Sequence, residues 1–334
     1  MNSSETEVYT CLHPKQIYYF GPPESYYGVT IPVCVINIIL MVFIIFGNVA
    51  VILAYCWNRS LQNIPNMLLI TLAISDTVVG VLAQPLFIIK LIRAIFDLRP
   101  LCALETLSSI ANMYCAGVSM LTLSLVISSE RYLAIVHPFK HRRLVTKNKI
   151  KLVIVFLWST LFLLNCVLFL GISYKVYFLI LSALIPVGFI VTAFASYSIL
   201  KKWKTSRSRQ ASVNSALGGS PSAIVSVEKK NFKIAKTMFY IVGAIALCYS
   251  PLLAALLYGQ IKEKNWIYLK YLYPNGMTLV YLNSLLNPII YCLRNQSFTR
   301  AILKMIGFDR REQTRRARCY TIDQPLSHHQ NVDS

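Results

Sequence analysis

Apolar residues in this chain gather into long unbroken runs instead of alternating with polar ones. Seven runs reach the roughly 20 residues that a helix rising about 1.5 Å per residue needs to cross a hydrocarbon layer about 30 Å thick. They are Val29–Trp57, Pro65–Ile89, Thr106–Ser129, Leu152–Tyr174, Val176–Leu200, Thr237–Gln260 and Tyr271–Leu293, and among them only Asp76 carries a formal charge. Such runs lack the two-residue period of strands and need a solvent that makes no hydrogen bonds. The pattern therefore predicts an all-α integral membrane protein, a bundle of seven transmembrane helices. The fourth and fifth runs almost touch near Gly171–Val176, so a single bent segment is a competing count; Lys175 and the combined length favour two crossings.

Past Leu293 the pattern changes. Phe298, Ile302 and Ile306 recur at i, i+4 and i+8 with basic residues beside them. That stripe predicts a short amphipathic eighth helix lying on the inner membrane surface, set off from the seventh span by the polar break Arg294–Ser297. The chain then divides into an outer N-terminal segment (1–28), the bundle (29–293, with a third inner loop over about 201–236), the surface helix (294–306) and a tail (307–334). Thr205–Ser226, with Gly218-Gly219-Ser220-Pro221 in its middle, reads as a flexible linker. No internal repeat of fixed period is visible.

Composition agrees with a lipid solvent: 56% of residues are hydrophobic, 14% are charged and the mean hydropathy is +0.55. A net charge of +20 would suit a nucleic acid only if the charges shared one folded aqueous face. Instead, with the amino terminus outside, 25 of the 33 basic residues fall on the loops and tail of one side. The positive-inside bias places that side in the cytoplasm. The expected location is the plasma membrane, multi-pass, with an extracellular N-terminus, a cytoplasmic C-terminus and no nucleic-acid partner. Met1–Tyr27 lacks the apolar core of a cleavable signal, so the first span is expected to direct insertion. Asn2-Ser3-Ser4 is a glycosylation sequon on the outer side, whereas the matches at Asn58 and Asn295 fall inside.

Three features of the spans carry chemistry. Asp76 is an ionisable group at mid-depth, costly to bury unpaired, and Asn48, Asn283, Ser284 and Asn287 are its expected neighbours. They can hold it by hydrogen bonds or help it ligate a cation; a protonated Asp76 held by amides is the plainer alternative. Pro251 and Pro288 remove backbone donors and bend the sixth and seventh helices. Arg131, at the basic end of the third run, needs a local partner, which Glu130 supplies.

Gly47-Asn48-Val49, Leu72-Ala73-Ile74-Ser75-Asp76, Glu130-Arg131-Tyr132, Trp158, Pro186, Cys248-Tyr249-Ser250-Pro251 and Asn287-Pro288-Ile289-Ile290-Tyr291 stand in order, one per span. Together they resemble the rhodopsin-like (class A) G-protein-coupled receptors from Val29 to Ile306. The resemblance implies a receptor, not an enzyme, without a cofactor. It implies an extracellular ligand and a heterotrimeric G protein as partners, with arrestin, receptor kinases and membrane lipids beside them. Arg131 would pair with Glu130 at rest and be released when the inner half of the sixth helix swings outward, with Tyr132, Asn287, Pro288 and Tyr291 in the same switch. Where the family often adds an acid at the base of the sixth helix, this chain has Asn231. A neutral amide holds an arginine less firmly. The Asp76 cluster, with Asn283, Ser284 and Asn287, resembles a sodium site. Counting back from Arg131 puts Met120 at the third-span position that usually gives a hydroxyl, one ligand fewer.

Counting from Arg131, Pro186, Pro251 and Pro288, the family's pocket positions fall on Met113, Tyr114, Gly117, Phe178, Ser182, Tyr249, Leu252, Leu253, Leu256, Tyr273, Met277 and Tyr281. None is an acid or a base. Amine receptors would place an aspartate where Met113 stands, and an opsin a lysine where Tyr281 stands. An apolar, tyrosine-edged cavity suits a lipid-like or small neutral ligand, although Leu252, Leu253 and Leu256 can equally face lipid or neighbouring helices. A peptide receptor using Glu24, Asp97, Glu105 and Glu263 at the rim, or a largely ligand-independent receptor, is the alternative. A transporter or channel would need a polar pathway, usually with repeats or broken helices.

The family's usual disulfide lacks both halves: Thr106 stands at its third-span position, and Gly171–Val176 holds no cysteine. The short second outer loop resembles that of melanocortin receptors, and certain lipid receptors also lack the third-span cysteine. The melanocortin calcium cluster is not matched, since Leu86, Thr106 and Ile110 occupy its positions. Cys11 and Cys102 remain as an outer pair, with two free thiols as the alternative. Cys319 is a candidate for palmitoylation but lies well past the amphipathic stripe, where an unmodified thiol is expected.

Overall fold

The computed structural model describes the backbone of residues 7–12, 15–20, 24–96, 98–99, 101–166, 174–217, 243–259, 261, 271–294, 296–305 and 307, and side chains for most of these from Tyr27 onward. Asn2, Asn231 and Cys319 lie outside the described residues, as do the side chains of Cys11, Phe178 and Ser182.

The helices are α1 (Glu24–Trp57), α2 (Ile64–Ile95), α3 (Cys102–Val136), α4 (Lys147–Cys166), α5 (Tyr174–Leu217), α6 (Gly243–Gly259), α7 (Tyr273–Arg294) and α8 (Gln296–Met305). Among the described residues six helices are long and apolar enough to cross a membrane, and α6 is a shorter apolar one. With α4 and α5 as separate helices, the chain forms a seven-helix membrane bundle.

Local sequence sets the ends. At the start of α2, the side chain of Asn63 accepts from the backbone N–H of Asn66 at 2.9 Å, and Pro65 occupies the first turn, where a missing donor costs nothing. The 44-residue α5 runs beyond its apolar stretch to Leu217. The linker expected from Thr205 therefore begins as helix. Lys, Arg, Gln and Ala propagate it until Gly218-Gly219-Ser220-Pro221 removes helix propensity. The N-terminal segment also departs from a plain polar lead, because Glu7–Leu12 (β1) and Lys15–Phe20 (β2) pair as an antiparallel hairpin with Cys11 opposite Gln16.

Two helices carry a wide turn: Val79–Ala83 in α2 and Thr122–Ile127 in α3 are π-helical. Such a turn inserts one extra residue, so side chains on its two sides are out of step by about 100° with a regular helix. In α3 it is pinned at its start, where Trp158 Nε1 of α4 donates to Thr122 Oγ1 at 3.0 Å.

Packing is inverted relative to a water-soluble protein. Phe43, Phe46, Phe156 and Leu163 are exposed, whereas Asn37, Asn48, Asp76, Gln84, Asn112 and Ser119 are buried. Hydrocarbon can cover the first set, and only other helices can satisfy the second. Close helix approach depends on small residues. A Cβ on Gly47 would stand 3.2 Å from Pro288 Cγ, and one on Gly276 would stand 3.0 Å from Leu252 Cα and 3.3 Å from its N.

Backbone cannot rotate away as a side chain can, so Gly276→Ala should lower stability by about 1–3 kcal/mol through overpacking of α6 against α7. Gly28, with nothing within 4 Å of an added Cβ, is the control: Gly28→Ala should be neutral or slightly stabilising, because alanine is the better helix former. Thermal unfolding of the two purified variants, compared with the parent, measures both.

Candidate functional site

Asp76 of α2 is fully buried and is met from two other helices. Its Oδ2 accepts from Asn287 Nδ2 of α7 at 2.8 Å, and its Oδ1 accepts from Ser119 Oγ of α3 at 3.1 Å. Ser284 makes a further side-chain hydrogen bond to it. Ser75 Oγ lies 3.2 Å from Ser119 Oγ. From α1, Asn48 Nδ2 donates to the carbonyls of Ile44 at 2.9 Å and Ser284 at 3.2 Å. Asn48 Oδ1 and Asn283 Nδ2 are buried without hydrogen-bond partners.

Ser119 corrects the expectation that α3 offers no hydroxyl here. The count from Arg131 to Met120 crosses the π turn at Thr122–Ile127, whose extra residue moves the Asp76-facing position to Ser119. Met120 points to α5 instead, where its Cε sits 2.7 Å from the place a Cβ on Gly188 would take. The same offset holds farther out. Tyr281 Oη donates to Asn112 Oδ1, and Asn112 Nδ2 donates to Ser108 O at 2.7 Å. Corrected for the extra residue, the position where amine receptors carry an aspartate is therefore Asn112 rather than Met113, and it remains neutral.

Met113, Gly117, Tyr249, Leu252 and Leu256 line one apolar cavity between α3, α5 and α6, about 30 Å³ in volume. Tyr249 Oη already donates to Ala116 O at 3.2 Å, so it offers no free hydrogen. Tyr114 turns to α4, with its ring edge-on to Phe162 at 6.0 Å between centroids. Leu253 packs half-buried against the core, Tyr273 and Met277 are buried away from this cavity, and Tyr281 meets Phe87 edge-on at 5.6 Å. At the outer rim Glu105 is engaged: its Oε2 lies 2.6 Å from Lys90 Nζ. Cys102 is disulfide-bonded, to a partner outside the described residues.

At the end of α3, Glu130 is 4% exposed and contacts two side chains, Arg131 and His141. Arg131 Nε is 3.4 Å from its Oε2. His141 Nε2 is 3.0 Å from its Oε1. His141 stands on a two-turn helix, Pro138–Leu144, that follows α3 directly. Sequence reading passed over it, because one histidine among Lys140, Arg142 and Arg143 gives no periodic signal. Tyr132 packs against Phe194 of α5 at 5.8 Å and edge-on to His137 at 5.6 Å. Tyr291 is buried with its hydroxyl unpartnered.

Leaving a buried acceptor without its donor costs about 1–3 kcal/mol, so Ser119→Ala should destabilise the protein by that order. Ser124, one turn on, is buried with an unpartnered hydroxyl, and Ser124→Ala should be neutral or stabilising. Thermal unfolding separates the two, and equal losses would mean that Ser119 is not the third-helix donor.

Residues 47–175 and 166–291 match the family described as 7 transmembrane receptor (rhodopsin family). The alpha-1D adrenergic receptor of Homo sapiens is 24% identical over 89% of this chain and 59% of its own length. That of Mus musculus is 22% identical over 84% and 58%. The histamine H2 receptor of Homo sapiens is 26% identical over 80% of this chain and 77% of its own length. The chain thus spans under two thirds of the alpha-1D receptors it matches. The matched segments cover most of the bundle and span Asn48, Asp76, Glu130-Arg131-Tyr132 and Asn287-Pro288-x-x-Tyr291, and on that match this chain belongs to the rhodopsin family of seven-transmembrane receptors.

Proposed function

We propose that this receptor converts the binding of an extracellular ligand into nucleotide exchange on a heterotrimeric G protein at its inner face. The observation that carries the reading is Arg131: part-exposed at the inner mouth of the bundle and held to Glu130 by a contact of only 3.4 Å, it can be released to a partner. Beside it Phe139 is 87% exposed among Lys140, Arg142 and Arg143, the anatomy of an interface anchor with a basic rim. Tyr291 and the Asp76 cluster connect that face to the middle of the bundle, with Pro288 as the bend between them. Arrestin and receptor kinases would use the same face.

The ligand in this reading is lipid-like or small and neutral. The cavity lining is apolar and the Asn112–Tyr281 pair uncharged, whereas an ammonium ligand would call for a carboxylate there. A largely ligand-independent receptor is the second reading, favoured by the loose Arg131 contact and the small cavity. Asp76, Ser119 and Ser284, with the amides of Asn283 and Asn287, form an oxygen-rich set suited to a hard cation such as sodium. The orphaned Asn48 Oδ1 beside them adds an acceptor. On the outer side we assign glycosylation to Asn2 and a Cys11–Cys102 disulfide tying the hairpin to the top of α3. α8 buries Phe298 and Ala301 and leaves Arg300 exposed for lipid headgroups of the inner leaflet.

Arg131→Ala should abolish or sharply reduce nucleotide exchange while surface expression stays near the parent's; exchange unchanged at matched expression would overturn the role of Arg131. Exchange measured without added ligand distinguishes the two readings. Cys11→Ser and Cys102→Ser should each lower surface expression, and the double variant should be no worse than either alone, since one bridge is lost once. Free alkylation of both thiols in the native protein would refute the pairing.

A further inference from the structure

Release of Arg131 has an electrostatic cost. It leaves Glu130, 4% exposed, without its arginine. Breaking a buried ion pair by removing one partner is strongly destabilising, because the remaining charge has neither water nor counter-ion. Among the described residues Glu130 is the only carboxylate at the cytoplasmic end.

His141 is already in place. Its Nε2 sits 3.0 Å from Glu130 Oε1, closer than Arg131 Nε at 3.4 Å from Oε2, and that Oε2 has no hydrogen-bond partner. Arg131 and His141 therefore occupy different oxygens of one carboxylate, and His141 makes the closer contact. We infer that His141 is the counter-ion that takes over Glu130 when Arg131 leaves, so that the signalling arrangement takes up a proton on the His141 imidazole. This rests on the G-protein reading above for its output, but the pairing itself does not.

The sign follows from the charges. With Arg131 in place, an imidazolium at His141 shares its carboxylate with a second cation and is disfavoured. With Arg131 gone, the same imidazolium faces Glu130 alone and is favoured. The arrangement with Arg131 released thus binds the proton more tightly, and by linkage a falling cytosolic pH shifts the balance toward it. Imidazole is the side chain that changes charge in the cytosolic range. Other charged and titratable residues lie on the neighbouring described elements. The end of α3 presents Arg131, Tyr132 and His137, and its own helix Lys140, Arg142 and Arg143. The inner end of α5 exposes Lys201 and Lys202, and Lys147 of α4 is engaged by Gln62 O at 3.0 Å. All but the tyrosine and histidine are fixed cations. Those other than Arg131 are present in both arrangements and leave the difference to Arg131.

Two measurements on the full-length receptor test this. In the first, nucleotide exchange on a reconstituted heterotrimeric G protein is followed from about pH 8 to about pH 6, with the inner face accessible. One linked proton permits at most about a tenfold rise per pH unit. The parent should rise several-fold relative to His141→Gln, and His141→Lys, a fixed cation, should be high and share the flat profile of His141→Gln. In the second, the His141 ring proton, assigned by its loss in His141→Gln, is titrated by NMR. Its midpoint should move up by about one pH unit in Arg131→Ala and down in Glu130→Gln. Superimposable pH profiles for the parent and His141→Gln, or a His141 midpoint indifferent to Arg131→Ala, would overturn the inference. Midpoints that move as expected with no exchange at any pH would instead defeat the G-protein reading and leave the His141–Glu130 coupling standing.

Discussion

A fully buried carboxylate sets the terms on which this bundle assembles. Left unpaired in hydrocarbon, the ionised form of Asp76 would cost far more than any single packing contact returns. Ser119 of α3 and Asn287 and Ser284 of α7 must therefore reach it, and Asn48 of α1 must in turn hold the Ser284 carbonyl. Four helices are fixed around one side chain. The close approaches follow from this: Gly47 lets α1 meet Pro288, and Gly276 lets α7 lie on the backbone of α6. Lipid supplies no competing hydrogen bonds, so these few polar contacts specify the arrangement while the apolar surface stays indifferent to it.

The π turn in α3 reconciles two demands that a regular helix could not meet together. Thr122 is tied to Trp158 of α4, and Ser119, less than a turn away, must face α2. One extra residue rotates the outer half of α3 relative to its inner half. Ser119 and Asn112 can then point at Asp76 and Tyr281 while Glu130 and Arg131 keep the inner face. The wide turn has a weaker hydrogen-bond pattern than the α-helix and persists because neighbours on both sides fix it.

Much of this was legible in the sequence, for reasons specific to the solvent. A membrane span must be long and apolar, so the runs from Val29 to Leu293 stand out, and a lone Asp76 or a terminal Arg131 stands out within them. What escaped was whatever leaves composition unchanged. An inserted residue in α3 alters no apolar run, yet it moved the Asp76 ligand from Met120 to Ser119 and the amine-contact position from Met113 to Asn112. His141 lay hidden because a helix of two turns is too short to show a period. The hairpin at Glu7–Phe20 consists of two strands too short to compete with a membrane reading, and the helical start of the third inner loop was masked by the glycines that end it.

The length of α5 has a mechanical consequence. From Pro186 to Leu217 the helix continues for about 46 Å at 1.5 Å per residue, far more than half a bilayer. A tilt of about 5° at the proline, where one backbone hydrogen bond is already missing, would carry the far tip sideways by about 4 Å. Small repacking beside the cavity, at Ile185, would thereby be geared up into a larger displacement at the far end of the helix. The chain thus has a long lever arm whose fulcrum lies next to an apolar cavity.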